Sequence, residues 1–166
     1  MSQDFYLGNP NLKKVGTEIQ FSKDQIKEYL KCKEDPVYFA MTYIKIISLD
    51  EGIVPFKMWD FQQELIESFH ENRFNIAKLP RQTGKSTTCV SYLLHYILFN
   101  DNVNVGILAN KLSTARDLLG RLQLAYEQLP LWLQQGIVVY NKGSMELENG
   151  SKILAASTSA SAVRGM

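Results

Sequence analysis

The chain has 166 residues, of which 45% are hydrophobic and 21% are charged, and its formal net charge at pH 7 is +1. These values are typical of one globular domain with a sizeable core, and they exclude a disordered, fibrous or strongly polyionic chain. A net charge this small does not indicate a polyanionic partner, so any nucleic-acid surface must be a local patch.

Cysteine and histidine usage predicts no metal or redox site. Cys32 and Cys89 are far apart and do not have zinc-ligand spacing, so neither zinc nor a disulfide framework is expected. His70 and His95 fall in helical patterns and receive no catalytic role. No apolar stretch reaches membrane-spanning length, and the N-terminus lacks a signal-peptide pattern. We therefore expect an intracellular protein without a membrane partner.

The N-terminal part of the chain is predicted to be an arm followed by helices. Residues 1–21 are polar and broken by glycine and proline, so we expect an extended arm. Ser22 caps a first amphipathic helix, and Pro36 opens a second, which we expect to run through Ile47. A third helical stripe follows a loop. Residues 22–72 are thus predicted to form a helical subregion.

Beyond residue 72 the apolar pattern alternates between strand and helix. In chain order, the sequence predicts a strand from Arg73 to Leu79, a helix from Gly84 to Asn100, a strand from Val103 to Ala109, a helix from Ser113 to Leu129, and a strand from Ile137 to Tyr140. Asn149-Gly150 then joins two alternating runs, which predicts a β-hairpin. The alternation predicts an α/β fold with a parallel sheet and flanking helices.

The stretch between the first of these strands and its helix has the composition of a phosphate site. It reads Leu79-Pro80-Arg81-Gln82-Thr83-Gly84-Lys85-Ser86-Thr87. Backbone N–H groups, a helix N-terminus and a cation can together neutralise phosphate. Gly84 permits a tight turn, Lys85 can reach the terminal phosphates, and Ser86 is placed to hold Mg²⁺. Leu79 occupies the position where such loops usually have their first glycine. A second interpretation therefore stays open, in which a strand simply ends and the next residues cap a helix.

An ATPase of this kind also needs a strand that ends in acidic residues. The run from Ile46 to Glu51 imitates such a strand, but it precedes the loop and follows helical periodicity, so we predict a helix end and an acidic loop there. No apolar run after Lys85 ends in Asp-Glu. We therefore expect an incomplete P-loop domain of the RecA/helicase-like kind, which binds nucleotide without hydrolysing it on its own.

An ordered set of motifs resembles the large terminase subunit of tailed phages, in particular of T-even-like phages, an ATP-driven motor that packages double-stranded DNA. The matching stretches are Asn11-Leu12-Lys13, Asp35-Pro36-Val37-Tyr38-Phe39-Ala40, Trp59-Asp60-Phe61-Gln62, Arg81-Gln82-Thr83-Gly84-Lys85-Ser86, Val105-Gly106-Ile107-Leu108-Ala109, Leu129-Pro130, Gly136-Ile137-Val138, Asn141-Lys142-Gly143-Ser144 and Ala162-Val163-Arg164-Gly165. The resemblance covers nearly the whole chain and implies that residues 73–166 are the first half of the ATPase domain. The Walker B strand, coupling motif and nuclease domain of the family are not included.

The resemblance also implies a set of site residues. The missing first glycine is usual in the terminase form of the Walker A loop, and Arg81 would bind developing phosphate charge, although it also fits a surface charge at a strand end. Phe61 would stack on adenine and Gln62 would pair with its edge, although both also fit ordinary faces of a helix. Lys85 and Arg81 are the expected catalytic residues, Ser86 the Mg²⁺ ligand, and the expected nucleotide-binding set is Phe61, Gln62, Arg81, Gln82, Thr83, Gly84, Lys85, Ser86 and Thr87.

The implied cofactors are ATP and Mg²⁺. The implied partners are double-stranded DNA, the portal protein and the small terminase subunit, with a homo-oligomeric ring on the portal and assembly in the host cytoplasm. Asn110-Lys111-Leu112-Ser113 falls where related translocases contact nucleic acid, but it fits a helix cap equally well. Arg164 matches a family signature and has no assigned role. Two alternatives stay open: a superfamily 2 helicase fragment, and a non-catalytic piece of a split terminase that a partner chain completes.

Overall fold

The computed structural model of the chain describes residues 5–48 and 51–158. A short 3-10 helix (Tyr6–Gly8) lies in the arm. The α-helices and strands in these ranges are α1 (Lys23–Glu34), α2 (Pro36–Tyr43), β1 (Lys45–Ser48), β2 (Gly52–Pro55), α3 (Asp60–Glu71), α4 (Lys85–Phe99), β3 (Asn104–Ala109), α5 (Leu112–Glu127), β4 (Ile137–Tyr140), β5 (Ser144–Leu147) and β6 (Lys152–Ser157). The fold is mixed α/β, as the sequence predicts. None of the described helices is long and apolar enough to cross a membrane.

The main sheet has four strands in the order β3-β6-β5-β4. β3 and β6 are parallel, whereas β6 with β5 and β5 with β4 are antiparallel. The prediction of a parallel sheet is therefore confirmed only for β3 and β6, and the sheet as a whole is mixed, because the predicted hairpin lies inside it and a tight turn can join only antiparallel strands. The hairpin itself is confirmed, with Gly150 at φ 79° in its turn.

A second, two-stranded sheet replaces the end of the predicted second helix. α2 ends at Tyr43, and β1 pairs antiparallel with β2, with Ile46 opposite Val54 and Ile47 opposite Ile53. The predictions of a helix through Ile47 and of a helix end there are therefore wrong. β-Branched residues prefer a strand once a partner strand is present. The predicted acidic loop lies partly at residues 49–50, outside the described residues.

The predicted strand from Arg73 to Leu79 is also wrong. Residues 73–80 form no regular structure and pair with no strand among the described residues. Phe74 is 83% exposed and Ile76 is fully exposed. A strand requires a neighbour that satisfies its backbone N–H and C=O groups, and no described strand lies beside this segment.

The core is built around α4, which contacts α3 and α5, while α5 contacts β3 and β6. Side chains that are almost completely buried come from both helices and from the hairpin: Leu94, Leu98, Leu119, Leu122, Tyr126, Met145 and Ile153. Burial of such side chains is the main stabilising contribution to a fold, at about 1.5–3 kcal/mol each. The packing therefore holds α4, and with it the loop at its N-terminus, in a fixed place.

The N-terminal arm packs along β4, the edge strand opposite β3. The Ile137 N–H donates to the Lys13 carbonyl at 2.8 Å. The Glu148 carboxylate accepts hydrogen bonds from the Gly136 N–H at 2.7 Å and the Gly16 N–H at 3.1 Å, and lies 3.4 Å from Lys13 Nζ. Partial burial raises the pKa of Glu148, but these donors together outweigh it, so the pKa lies below its ordinary value. The arm thus pairs with the first residue of this edge strand through an isolated parallel bridge between Lys14 and Ile137.

Candidate phosphate-binding site

Two residues of the loop before α4 have left-handed backbone conformations, a feature of tight anion-binding loops. Gly84 caps the helix with φ 73° and ψ 8°, in the left-handed region, and Gln82 has φ 63°. Left-handed residues alternating with ordinary ones turn successive backbone N–H groups toward one side. The first four N–H groups of an α-helix have no partner within it. The loop therefore presents unpaired donors at the positive end of the α4 dipole.

The side chain of Lys85 lies across this loop. Its Nζ donates to the carbonyl oxygens of Leu79 and Pro80, both at 3.2 Å, and the Thr83 hydroxyl donates to Pro80 at 3.1 Å. An ammonium group has three N–H donors, so one remains beyond these two carbonyls. The loop thus closes around the Lys85 ammonium group at the N-terminus of α4, where backbone N–H groups and the helix dipole favour an anion.

Gln62 connects the start of α3 to this loop. Its side chain is 3% exposed, its Nε2 donates to the Thr83 carbonyl at 3.1 Å, and its Oε1 accepts from the Trp59 N–H at 3.0 Å. A Cβ at position 84 would lie 2.5 Å from Gln62 Nε2, so Gly84 is needed for this close approach as well as for its φ. Both ends of the Gln62 amide are therefore bound to backbone.

A cleft of about 450 Å³ lies beside the loop, within the size range of small-molecule sites. Its lining comprises Ile46, Phe56, Lys57, Trp59, Phe61, Gln62, Gln82, Thr83, Gly84 and Thr87. Trp59 is 72% exposed and Phe61 is 37% exposed, so two aromatic rings face solvent close to the phosphate loop. Flat aromatic surfaces can stack on a nucleotide base.

The structure brings most of the predicted site residues together. Six of them line one cleft: Phe61, Gln62, Gln82, Thr83, Gly84 and Thr87. Ser86 lies half-buried in the first turn of α4, next to Lys85. Arg81 is exposed on the loop, and it forms no ion pair with any residue in the described ranges. The chemical roles of Arg81, Lys85 and Ser86 remain predictions.

Sequence reasoning missed Trp59 and Lys57, which line the same cleft. Trp59 directly precedes α3, where it is the N-cap residue, and it lies off the apolar stripe of that helix. The sequence did contain a signal for Trp59: it is a large aromatic residue just before an amphipathic helix and outside the buried face of that helix. Lys57 had no such signal, because exposed lysines are common on protein surfaces.

Two other predicted features stay untested. Asn110 and Lys111 are exposed between β3 and the start of α5 at Leu112, but no contact indicates a nucleic-acid role. Arg164 lies outside the described residues.

Metal ligation by protein side chains alone finds no support. Among the described residues no three His, Cys, Asp or Glu side chains come together as a metal site. A magnesium ion that bridges phosphates needs no such cluster, because it retains several waters and uses few protein ligands. The Ser86 hydroxyl, in the first turn of α4, therefore fits that kind of ion. A comparison of the chain with models of known protein families finds no match.

Proposed function

We propose that this chain binds a nucleoside triphosphate, ATP together with Mg²⁺, at a P-loop formed by residues 79–87. The observation that carries the proposal is the closure of this loop around the Lys85 ammonium group at the N-terminus of α4. Donors and dipole at such a position favour negative charge without further rearrangement. The adjoining cleft leaves room for the nucleoside.

The loop residues divide the phosphate chemistry among them. Lys85 would hold the terminal phosphates as a point charge, and the Ser86 hydroxyl would hold a magnesium ion, which would neutralise phosphate charge. Arg81 is exposed and unpaired among the described residues, so its guanidinium is free to bind two phosphate oxygens as charge develops.

We further propose that this ATP site belongs to the motor of a phage terminase large subunit, which couples ATP hydrolysis to translocation of double-stranded DNA into proheads. The ordered set of terminase-like motifs along the chain supports this role, since single motifs of this kind are common and their order is the specific feature. The portal protein and the small terminase subunit are the corresponding partners, in the host cytoplasm during virion assembly.

Calorimetric titration with ATP and Mg²⁺ tests the nucleotide site. Lys85→Ala removes a charged hydrogen-bond donor, so we expect affinity to fall by about 10-fold to 100-fold. Lys27→Ala, an exposed lysine on α1, makes the same change in net charge away from the loop and should bind as the unaltered chain does. Equal affinities for the Lys85 and Lys27 variants would overturn the proposal.

The motor assignment has a separate test in the coding sequence downstream of Met166. An in-frame apolar strand that ends in Asp-Glu would supply the magnesium-binding acid and support the terminase motor. A stop codon there, with co-purification of a second polypeptide carrying such a strand, would instead support the split arrangement. ATP turnover coupled to DNA strand separation would favour a helicase.

A further inference from the structure

We propose that the exposed face of α1 and the turn at Trp132 form a docking groove for an acidic amphipathic helix of a partner protein. The groove has a volume of about 350 Å³, and its walls include Ile26, Tyr29, Leu30 and Trp132. None of its lining residues lines the cleft beside the phosphate loop, so the contact is separate from the proposed nucleotide site.

α1 presents apolar side chains to solvent rather than to the core. Ile26 is 50% exposed and Leu30, one turn later, is 51% exposed. The inner side of α1 instead carries Cys32, which is fully buried, and Glu28, whose carboxylate accepts hydrogen bonds from two tyrosine hydroxyls of α2 at 2.8 and 2.9 Å. A surface helix normally buries its apolar stripe. The outward apolar pair therefore marks a face that a partner can cover.

Aromatic side chains form a fixed wall beside this pair. Phe21 makes edge-to-face ring contacts with Tyr29 and with Trp132, at 6.3 and 6.4 Å between ring centroids. Trp132 also contacts the ring of Tyr43. Tyr29 also contacts the ring of Phe99, which is buried in the core. Rings held in this way lose little conformational freedom when a partner covers them, so they are suitable anchors for binding.

Positive charges surround the apolar pair on α1. Lys23 lies three residues before Ile26, and Lys27 and Lys33 lie three residues before and after Leu30. Residues at this spacing are neighbours on a helix surface. All three lysines are exposed, and none forms an ion pair with a described residue. The N-terminus of α1 adds the positive end of its dipole near Lys23.

The charges of the groove select its occupant. Acidic groups are fewer than lysines there: Glu34 lies one turn after Leu30, and Asp101 lies within electrostatic reach of Tyr29. A helix with Asp or Glu beside its apolar stripe therefore complements the groove in both shape and charge. A second copy of this chain, docked through the same face about a two-fold axis, would instead bring lysines against lysines.

Two synthetic peptides test the charge preference of the groove. Both are amphipathic helices of about 18 residues, or five turns, with the same leucine stripe, and they carry either glutamate or lysine beside it. In calorimetric titration the glutamate peptide should bind the unaltered chain about 10-fold more tightly than the lysine peptide, and added salt should reduce the difference. Equal affinities, or binding of neither peptide, would overturn the proposal.

Substitutions test whether the peptide occupies the groove. Ile26→Ala should weaken binding of the glutamate peptide by about 5-fold or more, because it removes a central apolar contact. Ile47→Ala is the matched control at a 66% exposed isoleucine of β1 and should leave binding unchanged. Lys27→Glu should shift the preference toward the lysine peptide. Unchanged affinity in Ile26→Ala would contradict the proposal, and thermal unfolding verifies that these surface variants fold.

Fluorescence locates the contact independently of affinity. In a Trp59→Phe background Trp132 is the remaining tryptophan, and its emission should change as the glutamate peptide binds. Unchanged emission at saturation would show that the peptide binds elsewhere. Self-association that Ile26→Ala abolishes, measured by sedimentation, would identify a second copy as the occupant and overturn the proposal. Binding to phosphatidylserine vesicles but to neither peptide would overturn it in favour of a membrane surface.

Discussion

Residues 73–80 and the β5–β6 hairpin both contain apolar side chains at strand spacing, but only the hairpin forms strands. In the hairpin, Met145 lies opposite Ile153, both side chains are fully buried, and α5 packs on β6. In residues 73–80, Phe74 and Ile76 point into solvent and the backbone has no partner strand within the described residues. The two strands of the hairpin are joined by the short connection of residues 148–151, whereas residues 73–80 depend on a partner strand from elsewhere.

The contrast shows where each region obtains its order. The hairpin is ordered by the hydrogen bonds between its strands and by the burial of its side chains, so substitutions there affect the stability of the core. The candidate phosphate loop that follows residues 73–80 is ordered by a few hydrogen bonds: two contacts within the loop, from the Lys85 ammonium and the Thr83 hydroxyl, and one from the distant Gln62 amide. Changes in the two regions should therefore differ in size and in kind.

The largest expected difference comes from one substitution made in both regions. Ile153→Ala leaves a cavity at a fully buried site and should lower the free energy of unfolding by about 2–5 kcal/mol. Ile76→Ala, at a fully exposed site, should change it by less than about 0.5 kcal/mol. Urea denaturation measures both. A comparable loss from Ile76→Ala would show that residues 73–80 are covered in solution.

The second prediction concerns pH and His95 on α4. Burial lowers the pKa of this histidine to about 4, and nearby His70 adds to the effect, while the Cys32 and Lys33 carbonyls and Asp35 oppose it. The unfolded chain therefore binds a proton that the folded chain does not between pH 6.5 and about pH 4. Stability is complete above this window and should decline as pH falls through it, by roughly 3 kcal/mol in total.

The His95 prediction has a matched control. The Nε2 of His95 lies 2.9 Å from the Cys32 carbonyl, and His95→Gln can retain a donor there without titrating. Chemical denaturation from pH 7 to pH 4 should then lose its histidine-dependent slope, whereas His70→Gln, at an exposed position, should retain it. A slope that follows His70 rather than His95 would contradict the assignment.

The smallest effects are expected at two glycines, one in a strained loop conformation and one in an uncrowded helical position. Gly84→Ala forces a side chain into the left-handed region and against Gln62 Nε2, so it should cost about 1–3 kcal/mol and weaken ATP binding. Gly120 lies in α5 with nothing within 4 Å of a new Cβ, so Gly120→Ala should stabilise the chain by about 0.5–1 kcal/mol. Thermal unfolding compares them, and stabilisation by Gly84→Ala would refute the strained-loop interpretation.

Sequence reasoning succeeded where the signal was local. Ser22 forms the expected capping interaction with Gln25, Pro36 occupies the first turn of α2, and Asn149-Gly150 makes the expected turn. Each of these depends on hydrogen bonds or dihedral angles within a few residues. The helix of the phosphate loop, α4, was predicted within one residue at each end for the same reason.

Sequence reasoning failed where the outcome depended on distant partners. Ile46 and Ile47 fitted a helix by periodicity, but they form a strand because β2 pairs with them. Gln62 could be assigned to adenine by resemblance, yet its side chain makes hydrogen bonds to the backbone of Trp59 and Thr83. The contact with Thr83 spans 21 residues of sequence, and no sequence pattern reveals it. Trp59 was visible in the sequence only as a residue before a helix.

The sequence by itself determined the elements that carry the candidate site: a helix that begins at Lys85, and a loop with glycine where the backbone must turn left-handed. Only the tertiary structure decided that residues 73–80 pair with none of the described strands, that the sheet is mixed, and that Gln62 links α3 to the loop. The physical reason is the separation in sequence between the groups that interact. Caps and turns satisfy backbone groups from neighbouring residues, whereas strands and side-chain struts need groups that only the folded chain brings close.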